Sequence, residues 1–409
     1  MMIRIAGWMA LAALLAAPAA AQDRVIVRAE PGTPVVAAEV LIAVGPADEA
    51  EGKEGITYLT ARAVTAPIVP LLDSLTAQLT VQQHKDAVSF TVIAAPDNWQ
   101  EATRTLLVAL FRDPVDSVAT VRQRTATVAE LTAREASPAD ALARQVDAAV
   151  FGEEHPWGRP AVGTARSVGR IAVREVDAFL RSAFTADRAL VAIVGPVDRG
   201  AAQALQAFMD PGPVRRTELG PFEPAEEPVR RQYDAITAWV AAVYPFGEDA
   251  DEEALRMLAR LAVDHVAFGP LRPQVYDSRA EVVRHAGGGE LRLEMVVPPR
   301  EAEDWAERLS AAVAQYADEA LSEPMFAERL RRYRGERLLE LESPEARARA
   351  LARQALVGGR AGTRLTELDG LTAERLHQAA RSLSDPVIVF LGPFVEEDEE
   401  GGGATAAPR

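Results

Sequence analysis

Apolar residues run or alternate in three short stretches of the first half of the chain: VVAAEVLIAV from Val35, VSFTVIAA from Val88 and ALVAIVG from Ala189. Each is four to ten residues long and predicts a β-strand. Between them, QEATRTLLVALFRD from Gln100 and the region 121–152 place apolar residues at helical spacing. Strands grouped with long helices point to an α+β layer, a mainly antiparallel sheet with helices packed on one face.

The pattern then recurs. SPADALARQVDAAVFG from Ser137 resembles SPEARARALARQALVGG from Ser343, and both open with Ser-Pro, an N-cap followed by the first helical position. IAVREVDAFLRSAFTADRALVAIVGPVD from Ile171 resembles LTAERLHQAARSLSDPVIVFLGPFV from Leu371, a helix, a turn and a short apolar strand ending in Gly-Pro. VLIAVGPADEAE from Val40 matches WVAAVYPFGEDADE from Trp239. The offsets are 199 between Pro46 and Pro245, 206 between Ser137 and Ser343, and 200 between Ile171 and Leu371. A period that long is a duplicated domain and not a solenoid. The expected organisation is a signal peptide over 1–21, a first α+β domain over 22–208, a proline-rich linker over 209–232, a second over 233–394, and an acidic, glycine- and alanine-rich tail over 395–409.

The opening MMIRIAGWMALAALLAAPAAAQ has one arginine, an apolar run and small residues before Gln22, which predicts export to the periplasm or beyond with cleavage after Ala21. No later run is long and apolar enough to predict a membrane span or anchor. The formal charge of −16 becomes −17 when Arg4 is lost with the leader, and a surface of that sign repels phosphates, which argues against nucleic acid as a partner. With no cysteine in the chain, thiolate metal sites and disulfides are excluded. G-x-S-x-G, Walker A and H-E-x-x-H patterns are absent, and His84, His265, His285 and His377 are widely spaced. His285 precedes Gly287, Gly288 and Gly289, as in a hairpin turn.

FGEEHPWGRPAVGT, residues 151–164, followed by SVGRIAVREVDAFLRSAFTADRALVAIVG, resembles a segment that marks the pitrilysin or insulinase family of zinc peptidases. Glu153, Glu154 and His155 are consecutive in a turn before Pro156, a poor arrangement for shared metal ligation, so His155 reads as structural. The resemblance implies two homologous α+β domains forming half of a clam-shell, and places the chemistry upstream, on a helix with H-x-x-E-H. There two histidines bind zinc and the glutamate acts as general base. Aligned on Gly55, this chain has Tyr58 and Arg62 at the histidines and Ala61 at the glutamate. Tyrosine is a poor zinc ligand at neutral pH, arginine repels the ion and alanine takes no proton.

For the third family ligand, a glutamate on a later helix, Glu130 is the best match and Glu135 the second. Glu130 is read either as an ion-pair partner of Arg62 or as a solvated helix residue. No zinc or other cofactor is expected in this chain.

Some family members work as pairs, a zinc-bearing subunit with a partner that lacks the motif and completes the chamber. The resemblance then makes Arg272 and Tyr276 the candidate peptide contacts, in FGPLRPQVYDSRAEVVRH. Arg279, not tyrosine, stands at the family's tyrosine position, and an exposed strand edge is the alternative for both residues. ERLRRYRGERLLELE from Glu328 reads as a helix with an apolar face of Leu330, Leu338, Leu339 and Leu341 and a solvated basic face, or as a basic chamber lining. The expected function is a non-catalytic accessory subunit that binds peptide or unfolded polypeptide beside a zinc-motif-bearing relative. A stand-alone peptide-binding or chaperone-like module is the first alternative, and an active metallopeptidase with an unrecognised site the second.

Overall fold

A computed structural model describes residues 24–267, 275–358 and 368–394. The expected leader and cleavage point, the acidic tail and Arg272 lie outside the described residues. The first half runs β1 (Val25–Ala29), β2 (Val36–Ile42), α1 (Ile56–Thr65), α2 (Val69–Ser74), β3 (Gln78–Gln83), β4 (Val88–Ala94), α3 (Trp99–Phe111), α4 (Ser117–Glu135), α5 (Pro138–Phe151), α6 (Ala165–Gly169), α7 (Val173–Ala183), β5 (Ala189–Gly195) and α8 (Arg199–Gln203). The second runs β6 (Val229–Gln232), β7 (Ala238–Gly247), α9 (Glu252–Ala267), β8 (Asp277–His285), β9 (Gly288–Val297), α10 (Ala302–Asp318), α11 (Glu323–Glu340), α12 (Pro344–Gly358), α13 (Ala373–Arg381) and β10 (Val387–Gly392).

The two sheets have the same order, β1-β5-β2-β4-β3 and β6-β10-β7-β9-β8. Each is antiparallel except for one edge pair, β1 with β5 and β6 with β10. The duplication read from sequence is therefore a duplication of topology. β6 lies inside the stretch read as linker, whose last four residues form an edge strand. Edge strands β3 (QLTVQQ) and β6 (VRRQ) are largely polar and β1 (VIVRA) is only five residues long, and this is why pattern alone does not reveal them.

Every residue of β2 and β5 is buried, so these strands need cover on both faces. On one face, Val36, Ala38, Val40 and Ile42 pack with Leu106, Leu107 and Leu110 of α3. The other face is covered by α12 of the second half, through Ala348, Leu351, Ala352 and Leu356 against Ala37, Leu41, Leu190 and Ala192. The exchange is reciprocal. Leu142, Val146 and Val150 of α5 pack on Ala241, Val243 and Val389 of the second sheet.

The exchanged helix also makes a polar contact. Thr91 Oγ1 donates to buried Glu39 Oε2 at 2.5 Å and accepts from Arg349 Nε at 3.2 Å. Burial pushes the Glu39 carboxyl up to about 7, against the Thr91 hydrogen bond and the Arg349 charge.

Candidate functional site

Helix α1 begins at Gly55, whose φ of 88° is left-handed and favours glycine. Its backbone meets that of Gly163 so closely that a Cβ on Gly163 would stand 2.4 Å from Glu54 O and 2.7 Å from Gly55 Cα. The Gly-Thr of the marker segment is thus a packing device against the start of α1. Thr164 caps α6 by accepting from Ser167 N at 3.0 Å. Half-buried Glu49 accepts from Gly55 N at 2.8 Å and Thr57 N at 3.0 Å, satisfying the helix's first donors, and burial raises its pKa to about 6 against those bonds.

One turn along, Tyr58 and Arg62 lie four apart and face α4, while Ala61 turns into the core with no exposed surface. Tyr58 Oη donates to Glu130 Oε1 at 3.1 Å, Arg62 Nη1 donates to Tyr58 Oη at 3.2 Å, and Arg62 forms an ion pair with Glu130 Oε2. The guanidinium carbon also lies 5.3 Å from the centre of the Tyr58 ring. Of the two readings of Glu130, the ion pair is the one formed. Glu135 instead accepts from Ala165 N at 2.9 Å. Burial raises the Tyr58 pKa, with Arg62 opposing, so the phenol stays protonated at neutral pH. Although burial alone lowers the Arg62 pKa, the hydrogen bond to Glu130 holds it above its usual value.

This donor set does not fit zinc. One carboxylate is present, it is already neutralised by a guanidinium, and the only other oxygen is a neutral phenol. Among the described residues no group of three His, Cys, Asp or Glu side chains is placed to hold a metal ion. The second half repeats the arrangement. Glu336 follows Glu130 by the same 206 residues that separate Ser343 from Ser137, and Arg260 Nε on α9 pairs with Glu336 Oε2 at 3.2 Å. An arginine on the first long helix and a glutamate on the third thus brace corresponding helices in both halves.

Tyr58 borders a crevice of about 700 Å³ between edge strand β3 and helices α4 and α5, lined also by Gln83, Arg134, Arg144 and Thr164. β3 has one sheet neighbour, so its outer backbone groups have no strand partner among the described residues.

His155 caps a turn. Its Nδ1 accepts from Trp157 N at 3.2 Å and starts the turn through Pro156, in a cluster of rings with Phe151, Trp157 and Phe222. Tyr276, 62% exposed, leads into edge strand β8, and its backbone N–H donates to Val296 O at 2.8 Å. Arg279, on that strand, pairs with Glu281 at 2.5 Å.

Helix α11 corrects one expectation. Its buried residues are Phe326, Leu330 and Tyr333, while Leu338 and Leu339 are exposed. Its arginines bridge to α9, Arg337 to Glu253 at 3.0 Å and Arg332 to Asp264 at 3.1 Å, so that face is not simply solvated. The reason is helical phase: Phe326, Leu330, Tyr333 and Arg337 recur at i, i+4, i+7 and i+11 on the covered face, and Leu338 and Leu339, the next two residues, fall off that face.

Sequence reasoning missed a buried charge network between the halves. Lys85 Nζ meets Asp147 Oδ2 at 2.7 Å and donates to Trp157 O at 2.6 Å. Arg292 Nη2 spans Asp147 Oδ1 at 2.6 Å and Glu290 Oε1 at 2.7 Å, and His285 Nε2 lies 3.0 Å from Glu290 Oε1. Although burial opposes it, Arg292 with His285 holds the Glu290 carboxyl down at about 2. The only signal in sequence was charged residues at the ends of apolar strands.

No family model matches the chain. An uncharacterized zinc protease of Mycobacterium tuberculosis is 37% identical over 83 residues, covering 20% of this chain and 19% of that protein. A counterpart in Mycobacterium leprae is 36% identical over 83 residues, covering 20% and 18%. The match thus spans about a fifth of the length of these curated relatives. Among solved structures, a peptidase M16 inactive domain from Pseudomonas fluorescens has a TM-score of 0.76 at 15% identity, covering 92% of this chain and 97% of that one. A protease from Helicobacter pylori has a TM-score of 0.76 at 15% identity, covering 90% and 96%. The periplasmic protease PqqL of Escherichia coli has a TM-score of 0.70 at 12% identity, covering 90% of this chain and 44% of that one. With two equivalent helix-flanked sheets and a Tyr-Arg-Glu cluster at the motif positions, the chain is a fold homologue of the pitrilysin and insulinase peptidases, the M16 group, with a degenerate zinc motif.

Proposed function

We propose that this protein is a non-catalytic member of a peptidase pair, an accessory subunit that binds extended polypeptide and completes the chamber of a zinc-bearing relative. The observation that carries the reading is the Tyr58–Arg62–Glu130 cluster, which replaces metal chemistry beside an intact crevice and an unpaired strand edge. A peptide laid along β3 would find main-chain partners there and side-chain space in the crevice. The name of the Pseudomonas fluorescens relative, an inactive domain of a peptidase, is in keeping with such a role. Export to the periplasm belongs to the same proposal. Among the described residues no helix is long and apolar enough to cross a membrane. Within this reading, Tyr276 and Arg272 contribute peptide contacts from the second half.

The test is to mix the purified chain with a co-encoded relative carrying intact H-x-x-E-H and to measure peptide cleavage. The expected result is an inert chain that raises its relative's activity. Peptide binding with no effect on any such relative favours a stand-alone binding module. Cleavage by the chain alone overturns the proposal.

A further inference from the structure

Edge strands β3 and β8 hold the same place in the two sheets, and they differ in charge. β8 presents Asp277, Arg279 and Glu281, the last two paired with each other, and charges of this kind keep an edge from taking on another strand. β3 reads QLTVQQ and carries none. The crevice along β3 measures about 700 Å³, against about 260 Å³ beside β8. Its walls, α4 and α5, leave room for a single strand and not for a second sheet with its helices, so the occupant that fits is an unfolded segment and not a copy of this chain.

The register fixes what that segment meets. His84 N donates to Ala87 O at 2.8 Å, and bonded pairs alternate along an antiparallel ladder, so Gln82, Thr80 and Gln78 exchange their bonds with β4. The backbone N–H and C=O groups of Leu79, Val81 and Gln83 therefore point away from β4. An antiparallel guest strand bonded to them faces Thr80 and Gln82 at its non-bonded positions, where opposed side chains come closest. Its two faces continue different rows. Thr80 stands opposite Thr91 and Gln82 opposite Ser89, rows of hydroxyls and an amide. Leu79 stands opposite Val92 and Val81 opposite Phe90, rows that run on through Ala38 and Val40 in the first core.

We propose that β3 selects an amphipathic strand, an unfolded segment in which apolar residues that extend the Leu79 and Val81 rows alternate with threonine or glutamine that extends the Thr80 and Gln82 rows. The inference rests on the reading of β3 as the peptide-binding edge and adds the class of peptide. Thr80 and Gln82, both exposed, are then the residues that determine specificity.

Fluorescence anisotropy on the full chain tests this with two labelled peptides of equal composition, one alternating valine and threonine, the other with its valines and threonines in separate blocks. The alternating peptide is expected to bind tighter by about fivefold or more. Val81→Pro removes an N–H that points away from β4 and spares the ladder, so it should abolish binding while the thermal transition is kept. Should that variant fold poorly, Thr80→Lys puts a charge on the exposed face of the edge and should weaken binding severalfold. Equal binding of the two peptides, lost in Val81→Pro, overturns the alternating preference and leaves the peptide-binding edge standing. Binding that neither substitution changes, or binding of neither peptide, overturns both. A dimer of the chain that Thr80→Lys dissociates would make a second copy the occupant and overturn the proposal.

Discussion

At Ala61 the side chain is fully buried among the residues of the first core. A glutamate restored there would bring a carboxylate into apolar packing, and Ala61→Glu is expected to lower unfolding free energy by about 3 kcal/mol or more in urea titration. A loss under about 1 kcal/mol would mean that the new carboxylate reaches the crevice. Arg62→Ala should cost less, about 1 kcal/mol, because Arg62 and Glu130 are 23% and 36% exposed and water screens the pair.

Glu39 makes a pH prediction. Its folded pKa, about 7, lies above the unfolded value, so the folded state holds a proton that the unfolded chain releases, and its contribution to stability falls as pH rises from about 4.5 to 7. The full change is on the order of 3 kcal/mol. His84 acts oppositely, since burial lowers its pKa to about 4 and stability is lost as pH falls below its unfolded value. Comparing Glu39→Gln with the natural chain at pH 5 and pH 8 separates the two. The substitution should raise the melting temperature at pH 8 relative to its effect at pH 5, and an equal effect at both would contradict the buried, proton-holding carboxyl.

At the scale of elements, the exchanged helices carry the packing that joins the halves. Leu351 of α12 is 2% exposed on the first sheet, and Leu351→Ala should cost about 2–5 kcal/mol by chemical denaturation. Hydrogen exchange should place the loss in β2 and β5, both in the first half of the chain, as well as in α12. Protection lost in α12 alone would show that the contact is not structural. The central strands were legible in sequence because β2, β4 and β5 are long apolar runs, and the duplication was legible because Ser-Pro caps and Gly-Pro strand ends recur at one period. The exchange was not legible. Periodicity tells that Leu142 or Leu351 seeks an apolar surface, and both sheets offer the same one. The ion pair of Arg62 was within reach, since an arginine four residues from a tyrosine on a helix face needs a counter-charge, and Glu130 lay on a helix that the family pattern brings alongside.

For the whole molecule, each sheet is covered on one face by its own helices and on the other by a helix of the opposite half, with Asp147 linking Lys85 to Arg292 across the junction. The halves are therefore expected to unfold together, in a single urea transition that coincides by near- and far-ultraviolet circular dichroism. Two separated transitions would contradict the interlocking. Within the first half, the ion pair of Arg62 with Glu130 ties α1 to α4 with a guanidinium, a group that repels a metal ion. The most direct test of that claim is the metal content of the full purified chain after incubation with excess zinc and removal of the unbound ion, read by mass spectrometry beside a peptidase assay. Far less than one zinc per chain and no cleavage are expected; one zinc per chain, accompanied by cleavage that a chelator abolishes, would contradict a zinc-free Tyr58–Arg62–Glu130 cluster.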